Sequence, residues 1–207
     1  MTNIAPLSDM LNWKLLSGSH KFPGPEGGTC INEAAIVAAG FQYCSVLSAS
    51  DCPPCFSRVI SQYCIGMNDA MPDDLRQSLL MPFVVRLAGT ADSDVIELKR
   101  AKYIAIETVK RILPMALTRW PELADRCREV RTLDEAKAAA KAADAAAYAA
   151  AYAAAYAAKA AADAAYAVWG EAVAILDEAI NLGKQAEPIE TALVIERMDQ
   201  MRAMARV

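Results

Sequence analysis

Apolar residues recur at helical spacing along most of the chain, and the pattern predicts helices almost throughout. Leu7, Leu11 and Leu15 share one side of a helix expected over residues 7–16, with Ser8 as its cap. A second helix is expected to start at Thr29, to include Cys30 and Glu33, and to stop at Gly40. Residues 41–47 suit an extended segment, which alone does not make a sheet. Ser50 or Asp51 is then placed to cap a helix opening with the CPPC of residues 52–55, with Phe56, Val59, Ile60, Tyr63 and Met67 at helical spacing. The next helix follows Met71, with Pro72 in its first turn and Asp73 and Asp74 near the positive end of its dipole. Leu75, Leu79, Leu80, Phe83 and Leu87 are expected to face inward along it, and Pro82 to kink it. Residues 89–92 turn the chain into a helix over residues 93–113 with Val95, Leu98, Ile106, Val109 and Leu113 on its buried side, ended or bent by Pro114. A shorter helix is expected over residues 120–130.

From about Thr132 to Gly183 the pattern changes to a helical rod whose middle is almost pure alanine. Between Lys137 and Tyr166 the residues that interrupt the alanines are Lys141, Asp144, Tyr148, Tyr152, Tyr156, Lys159 and Asp163, at steps of three or four. Their mean spacing is about 3.6, the period of a straight α-helix, so they form one stripe and methyl groups cover the rest of the cylinder. Thr132 with Glu135 reads as a capping box and Gly183 as a C-terminal stop, with a bend or seam expected near Trp169 and Gly170. Glu187 and Pro188 open a last helix that packs back through Ile189, Leu193 and Met198. The fold class is therefore all-α: a compact helical head over residues 1–131, then a rod and C-terminal helix over residues 132–207.

Composition narrows the possible functions. A formal charge of -4 and a pI near 5.1 argue against a general nucleic-acid binder, so Arg126, Arg128 and Arg131 read as a solvated helix face. The opening residues lack a basic segment followed by an apolar run, so no secretory leader is expected and a cytoplasmic setting is. The longest uncharged window, residues 145–158, is too short and too weakly apolar to span a bilayer, and membrane insertion is not expected.

The candidate chemistry lies in the head. The stretch GSHKFPGPEGG over residues 18–28 holds the single histidine, His20, in a loop that its prolines and glycines keep irregular. His20, Cys30, Cys52 and Cys55, with Cys44 and Cys64 as substitutes, offer the nitrogen and sulfur ligands of a closed structural zinc site, and the two-residue gap in the CPPC pair is a usual chelate spacing. Cys30 and the CPPC pair are also each expected at a helix start, where unpaired amides stabilise a thiolate. In that reading His20 is the base for Cys30, with Glu26 or Glu33 as orienter. Against both stands the reading of ordinary buried thiols and a hydrogen-bonded loop histidine. Asp69, Asp73 and Asp74 read as helix-start capping, and no P-loop, GxGxxG or HExxH motif is present.

The segments FPGPEGGTCINEAAIVAAGF (residues 22–41) and DCPPCFSR (residues 51–58) resemble those of uncharacterised bacterial proteins that share such an N-terminal part. The resemblance covers about the first half of the chain and implies no particular activity.

Three classes of function follow from the residues. The first is a non-enzymatic interaction or scaffold protein that binds itself or a protein partner through the rod. Ala150 and Ala154 lie at the centre of its docking face, with Tyr148, Tyr152 and Tyr156 along the groove edge. The second is a thiol-dependent enzyme or redox protein using Cys30 or the Cys52 and Cys55 pair, although a thioredoxin-like βαβ pattern is absent. Adsorption through the alanine face, in the manner of alanine-rich antifreeze helices, is a third, against which the tyrosine stripe counts. The stripe is harder to obtain by accident than scattered cysteines, which favours the first.

Overall fold

The computed structural model describes residues 13–20, 28–150, 161–183 and 189–204, with the side chains at 140, 143–150, 161–165, 201, 202 and 204 left out. Helices dominate these residues, as the all-α expectation requires. The named strands among them are only two residues each: β1 (Lys14–Leu15) and β2 (Gly28–Thr29), paired in parallel with Lys14 opposite Gly28. The chain forms two compact units, residues 1–97 with 180–207 and residues 98–179. The boundary expected after residue 131 falls inside the second unit, and the C-terminal helix belongs with the first.

The first unit is built around α1 (Ile31–Ala38), all eight residues of which are buried. Its sequence INEAAIVA is apolar nearly all round, and such a helix is stable only when enclosed. Its stop is chemically specified: Gly40, at φ +85°, donates to the Val37 carbonyl, and the Phe41 N–H reaches the Ile36 carbonyl. Those two bonds are a Schellman motif, whose left-handed residue is most easily glycine. α2 (Arg58–Ala70) is capped by Ser57, whose Oγ accepts from the Ile60 N–H at 3.1 Å. The CPPC segment therefore does not open a helix, contrary to the sequence expectation. A 3-10 turn (Ala49–Asp51) and a loop precede Ser57, because Pro53 and Pro54 hold the residues before them extended. Residues 41–46 likewise form no strand.

α3 (Asp73–Leu80) follows Pro72, and Pro82 converts the expected kink into a 3-10 turn over Met81–Phe83. Leu80, Phe83 and Leu87 are buried as expected, whereas Leu75 and Leu79 are only half-buried. Arg76 is buried beside them, with its guanidinium donating to the Asn68 and Met71 carbonyls and paired with Asp73. The helix expected over residues 7–16 falls mostly outside the described residues, and its last part is β1 instead. The Gln77 side chain holds that strand by accepting from the Leu15 N–H and donating to the Trp13 carbonyl, both at 2.8 Å.

α4 (Asp94–Glu107) buries Arg100, while Val95 and Leu98, expected inside, are 75% and 56% exposed. Pro114 has no N–H for the carbonyl four residues back, and the helix widens ahead of it into a π-turn (Thr108–Ile112) before α5 (Leu113–Ala116). In the second unit Val109, Leu117, Ala124, Cys127, Val130 and the alanines Ala136 and Ala139 make one core. α6 (Pro121–Arg128) and α7 (Leu133–Ala150) supply most of it. The capping box at the start of α7 is present: the Glu135 N–H donates to Thr132 Oγ1 at 3.2 Å and Glu135 Oε2 accepts from the Thr132 N–H at 3.0 Å. α8 (Ala161–Asn181) ends at the expected stop and stays helical through Gly170. Arg111 joins two of its carboxylates, Glu171 at 2.7 Å and Glu178 at 2.5 Å.

α9 (Thr191–Met204) packs on α1 through Val194 and Met198, with the Arg197 guanidinium donating to the Ala38 carbonyl at 2.6 Å. Leu193, expected to pack back, is 38% exposed, because the buried face lies one residue further on.

Two glycines should respond oppositely to substitution by alanine. A Cβ at Gly28 would lie 2.6 Å from Leu16 Cδ1 and 2.8 Å from the Lys14 carbonyl oxygen, whereas at Gly170 it would meet nothing within 4 Å. In chemical denaturation Gly28→Ala should lose about 1 to 3 kcal/mol by overpacking. Gly170→Ala should gain up to about 1 kcal/mol through helix propensity.

Candidate functional site

The predicted site residues of the loop and of α1 meet around Glu33. β2 delivers Cys30 to the N-cap of α1 in an extended conformation. Its Sγ accepts from the Glu33 N–H at 3.4 Å, while Glu33 Oε2 accepts from the Cys30 N–H at 2.9 Å. This is a capping box with a thiol in place of the usual hydroxyl. The other carboxylate oxygen, Oε1, accepts from Ser19 Oγ at 2.9 Å, the His20 N–H at 3.1 Å and the Val46 N–H at 3.0 Å. Glu33 has no exposed surface, so these four donors replace its hydration, and none of them is a cation.

The segment before α1 is fastened further. The His20 carbonyl accepts from the hydroxyls of Tyr43 and Ser45, the Gly18 N–H donates to Asp69 Oδ1 at 2.7 Å, and Asn68 bridges the Ile31 N–H and the Leu16 carbonyl. Asp69 therefore does not cap a helix start, as its sequence context suggests. It lies at the last turn of α2, while Asp73 and Asp74 do occupy the first turn of α3. A cleft of about 210 Å³ opens here, walled by Ser19, Cys30, Val46, Leu47, Ile65 and Asp69.

Cys30 is 3% exposed, and burial, reinforced by the Glu33 charge, pushes its thiol above the ordinary range. That is the opposite direction from an activated thiolate. Burial also pushes up Cys64 and Cys52. His20 approaches Glu33 through its backbone N–H, and its buried Nε2 has no hydrogen-bond partner among the described residues. Cys52 and Cys55 lie on the loop ahead of α2, where the Cys52 carbonyl accepts from Arg58 at 2.6 Å and the Cys55 carbonyl from the Ala91 N–H at 2.9 Å. Among the described residues no group of three or more His, Cys, Asp or Glu side chains is placed to hold a metal ion, and all six cysteines are free. Tyr148 and Ala150 fall within α7 but their side chains lie outside the described residues, as do Tyr152, Ala154 and Tyr156 altogether.

The sequence marks Glu33 only as a residue of the helix and, with Glu26, as an alternative orienter. Nothing in the sequence signalled Val46 or Ser19 as its partners: Val46 donates a backbone N–H, which carries no residue identity, and the Ser19 hydroxyl is brought to Glu33 by the path of the loop. Among the described residues no helix is long and apolar enough to cross a membrane. No family model, curated protein or solved structure matches the chain.

Two measurements test this arrangement. In Glu33→Gln either amide orientation turns an NH₂ group toward donors now bonded to a carboxylate oxygen, so urea denaturation should show a loss of about 2 to 4 kcal/mol. The second concerns alkaline pH. A thiol raised in the folded state releases its proton first from the unfolded chain, so its contribution is complete below about pH 8.5 and declines as pH rises. Between pH 8 and 10 the wild type should lose about 2 kcal/mol more than Cys30→Ser, whose hydroxyl keeps the cap and does not titrate there. Equal losses in the two proteins would show that Cys30 ionises freely when folded.

Proposed function

We propose that the protein is a non-enzymatic helical interaction protein that self-associates through its alanine-rich helix. The observation that carries this reading is how α7 begins. Ala136 and Ala139, with only a methyl group each, are 3% and 5% exposed in the core with Val109, Leu117 and Val130. Burial of so small a side chain requires the neighbouring backbone to come close, which alanine permits and larger residues prevent. Alanine then continues at nearly every position outside the Lys, Asp and Tyr stripe as far as residue 165.

The neighbour that α7 contacts most, α6, is too short to cover it. Eight residues of helix extend about 12 Å and eighteen about 27 Å. A second copy of the same helix supplies a surface of matching length and chemistry. The head contributes a rigid frame in this reading, since the thiol that a catalytic role would use is held neutral by burial beside Glu33. Zinc has no ligand group among the described residues and forms no part of the reading.

The test is oligomeric mass by light scattering together with thermal denaturation. Wild type should associate, while Ala150→Leu and Ala154→Leu should shift the mass toward monomer and lose about 1 to 3 kcal/mol of stability in the associated state through overpacking. Wild type that remains monomeric at about 1 mM associates more weakly than about 4 kcal/mol, which would end the self-association reading.

A further inference from the structure

We infer that the second unit carries a binding site for a small aromatic carboxylate, in the hollow between the start of α6 and α7. The hollow measures about 420 Å³ and is walled by Arg119, Trp120, Glu122, Leu123, Arg126 and Ala142. That volume holds a single-ring acid and lies within the usual range of small-molecule sites. The charge in the wall is anomalous for this chain. The protein carries -4 overall, yet the ionisable side chains of the wall are two guanidiniums and one carboxylate.

Among the described residues neither guanidinium is paired. Arg111 and Arg128 are paired with Glu171, Glu178 and Asp125, whereas Arg119 and Arg126 make no ion pair or side-chain hydrogen bond among the described residues. Guanidinium is the side chain best matched to a carboxylate, since its planar fork can donate two parallel hydrogen bonds. Beside the arginines, Trp120 is partly buried against the Val109 and Leu117 core, and its indole provides an apolar wall. Leu123 and the Ala142 methyl complete it. An indole wall and two arginines suit a ligand that joins a flat apolar ring to a negative group.

The start of α6 adds to this selectivity. Pro121 occupies its first turn and Trp120 its N-cap, and no side chain caps the helix. The positive end of the helix dipole lies beside the hollow, offset in part by Glu122 in the same first turn. Glu122 repels a second negative charge, which favours a monoanion such as a carboxylate over a phosphate dianion.

The site is independent of the alanine-helix reading and is tested on the full chain by calorimetric titration with benzoate, benzamide and inorganic phosphate. Benzoate should bind saturably at low salt with a Kd below about 10 mM, and benzamide and phosphate should each bind at least about tenfold more weakly. Arg119→Gln and Arg126→Gln, both at exposed positions, should each weaken benzoate by about tenfold while leaving the melting temperature unchanged. Benzamide binding as tightly as benzoate would overturn the anion site, and phosphate binding as tightly would overturn the ring-selective part. Absence of saturable benzoate binding, or benzoate affinity unchanged in both variants, would overturn the proposal as a whole.

Discussion

Burial of the Glu33 carboxylate is the constraint on which the first unit depends. A carboxylate removed from water must find donors for its lone pairs or give up its charge, and here four neutral donors come from residues 19, 20, 30 and 46. Those donors belong to three stretches of chain that have no regular hydrogen-bonding partner of their own at these atoms. Satisfying one side chain therefore positions all three stretches at once. The consequence extends to chemistry, because Cys30 shares the same enclosure. Burial and the adjacent negative charge both oppose its ionisation, so the group that looks most reactive in the sequence becomes part of a helix cap.

Where the sequence was legible, one residue type at one spacing had a single physical use. The stop of α1 was readable because Gly40 supplies a left-handed terminus, but its start was expected at Thr29, whereas Thr29 is in β2 and Cys30 is the N-cap that exchanges hydrogen bonds with Glu33. Thr132 and Glu135 were readable as a capping box because each satisfies the other's backbone. The CPPC segment misled because proline is tolerated in a first helical turn, yet Pro53 and Pro54 also restrict the residues before them to extended conformations. Ser57, whose Oγ accepts from the Ile60 N–H, marks the true start of α2. The errors at Leu193, Val95 and Leu98 have a different cause. Apolar residues lie on more than one side of those helices, so periodicity identifies a helix without choosing which side is buried.

The candidate site was legible only as an inventory. His20, Cys30 and Glu33 were recognisable as a set, but three of the four donors to the carboxylate are backbone N–H groups, at His20, Cys30 and Val46, which no side-chain pattern announces. The same limit applied to the arginines. Arg126 and Arg128 look alike in sequence, two positions apart, yet only Arg128 has an ion-pair partner among the described residues. A basic residue acquires a role from what surrounds it, and that is set by the packing of α6 on α7.

The alanine stretch obeys a further rule of scale. A methyl group removes little apolar area, so at about 25 cal/mol per Å² each alanine contact contributes a few tenths of a kcal/mol at most. Where α7 begins, Ala136 and Ala139 are secured because larger residues, Val109, Leu117 and Val130, share the core with them. Alanine against alanine has no such help, and close approach replaces area with many weak dispersion contacts. Association by that means grows only with the number of turns engaged. In the proposed association, the stripe that the sequence spaces at helical period from Lys137 to Tyr166 would set many such weak contacts against the cost of bringing two chains together. The number of turns engaged, rather than any individual residue, would then decide whether that proposed association holds.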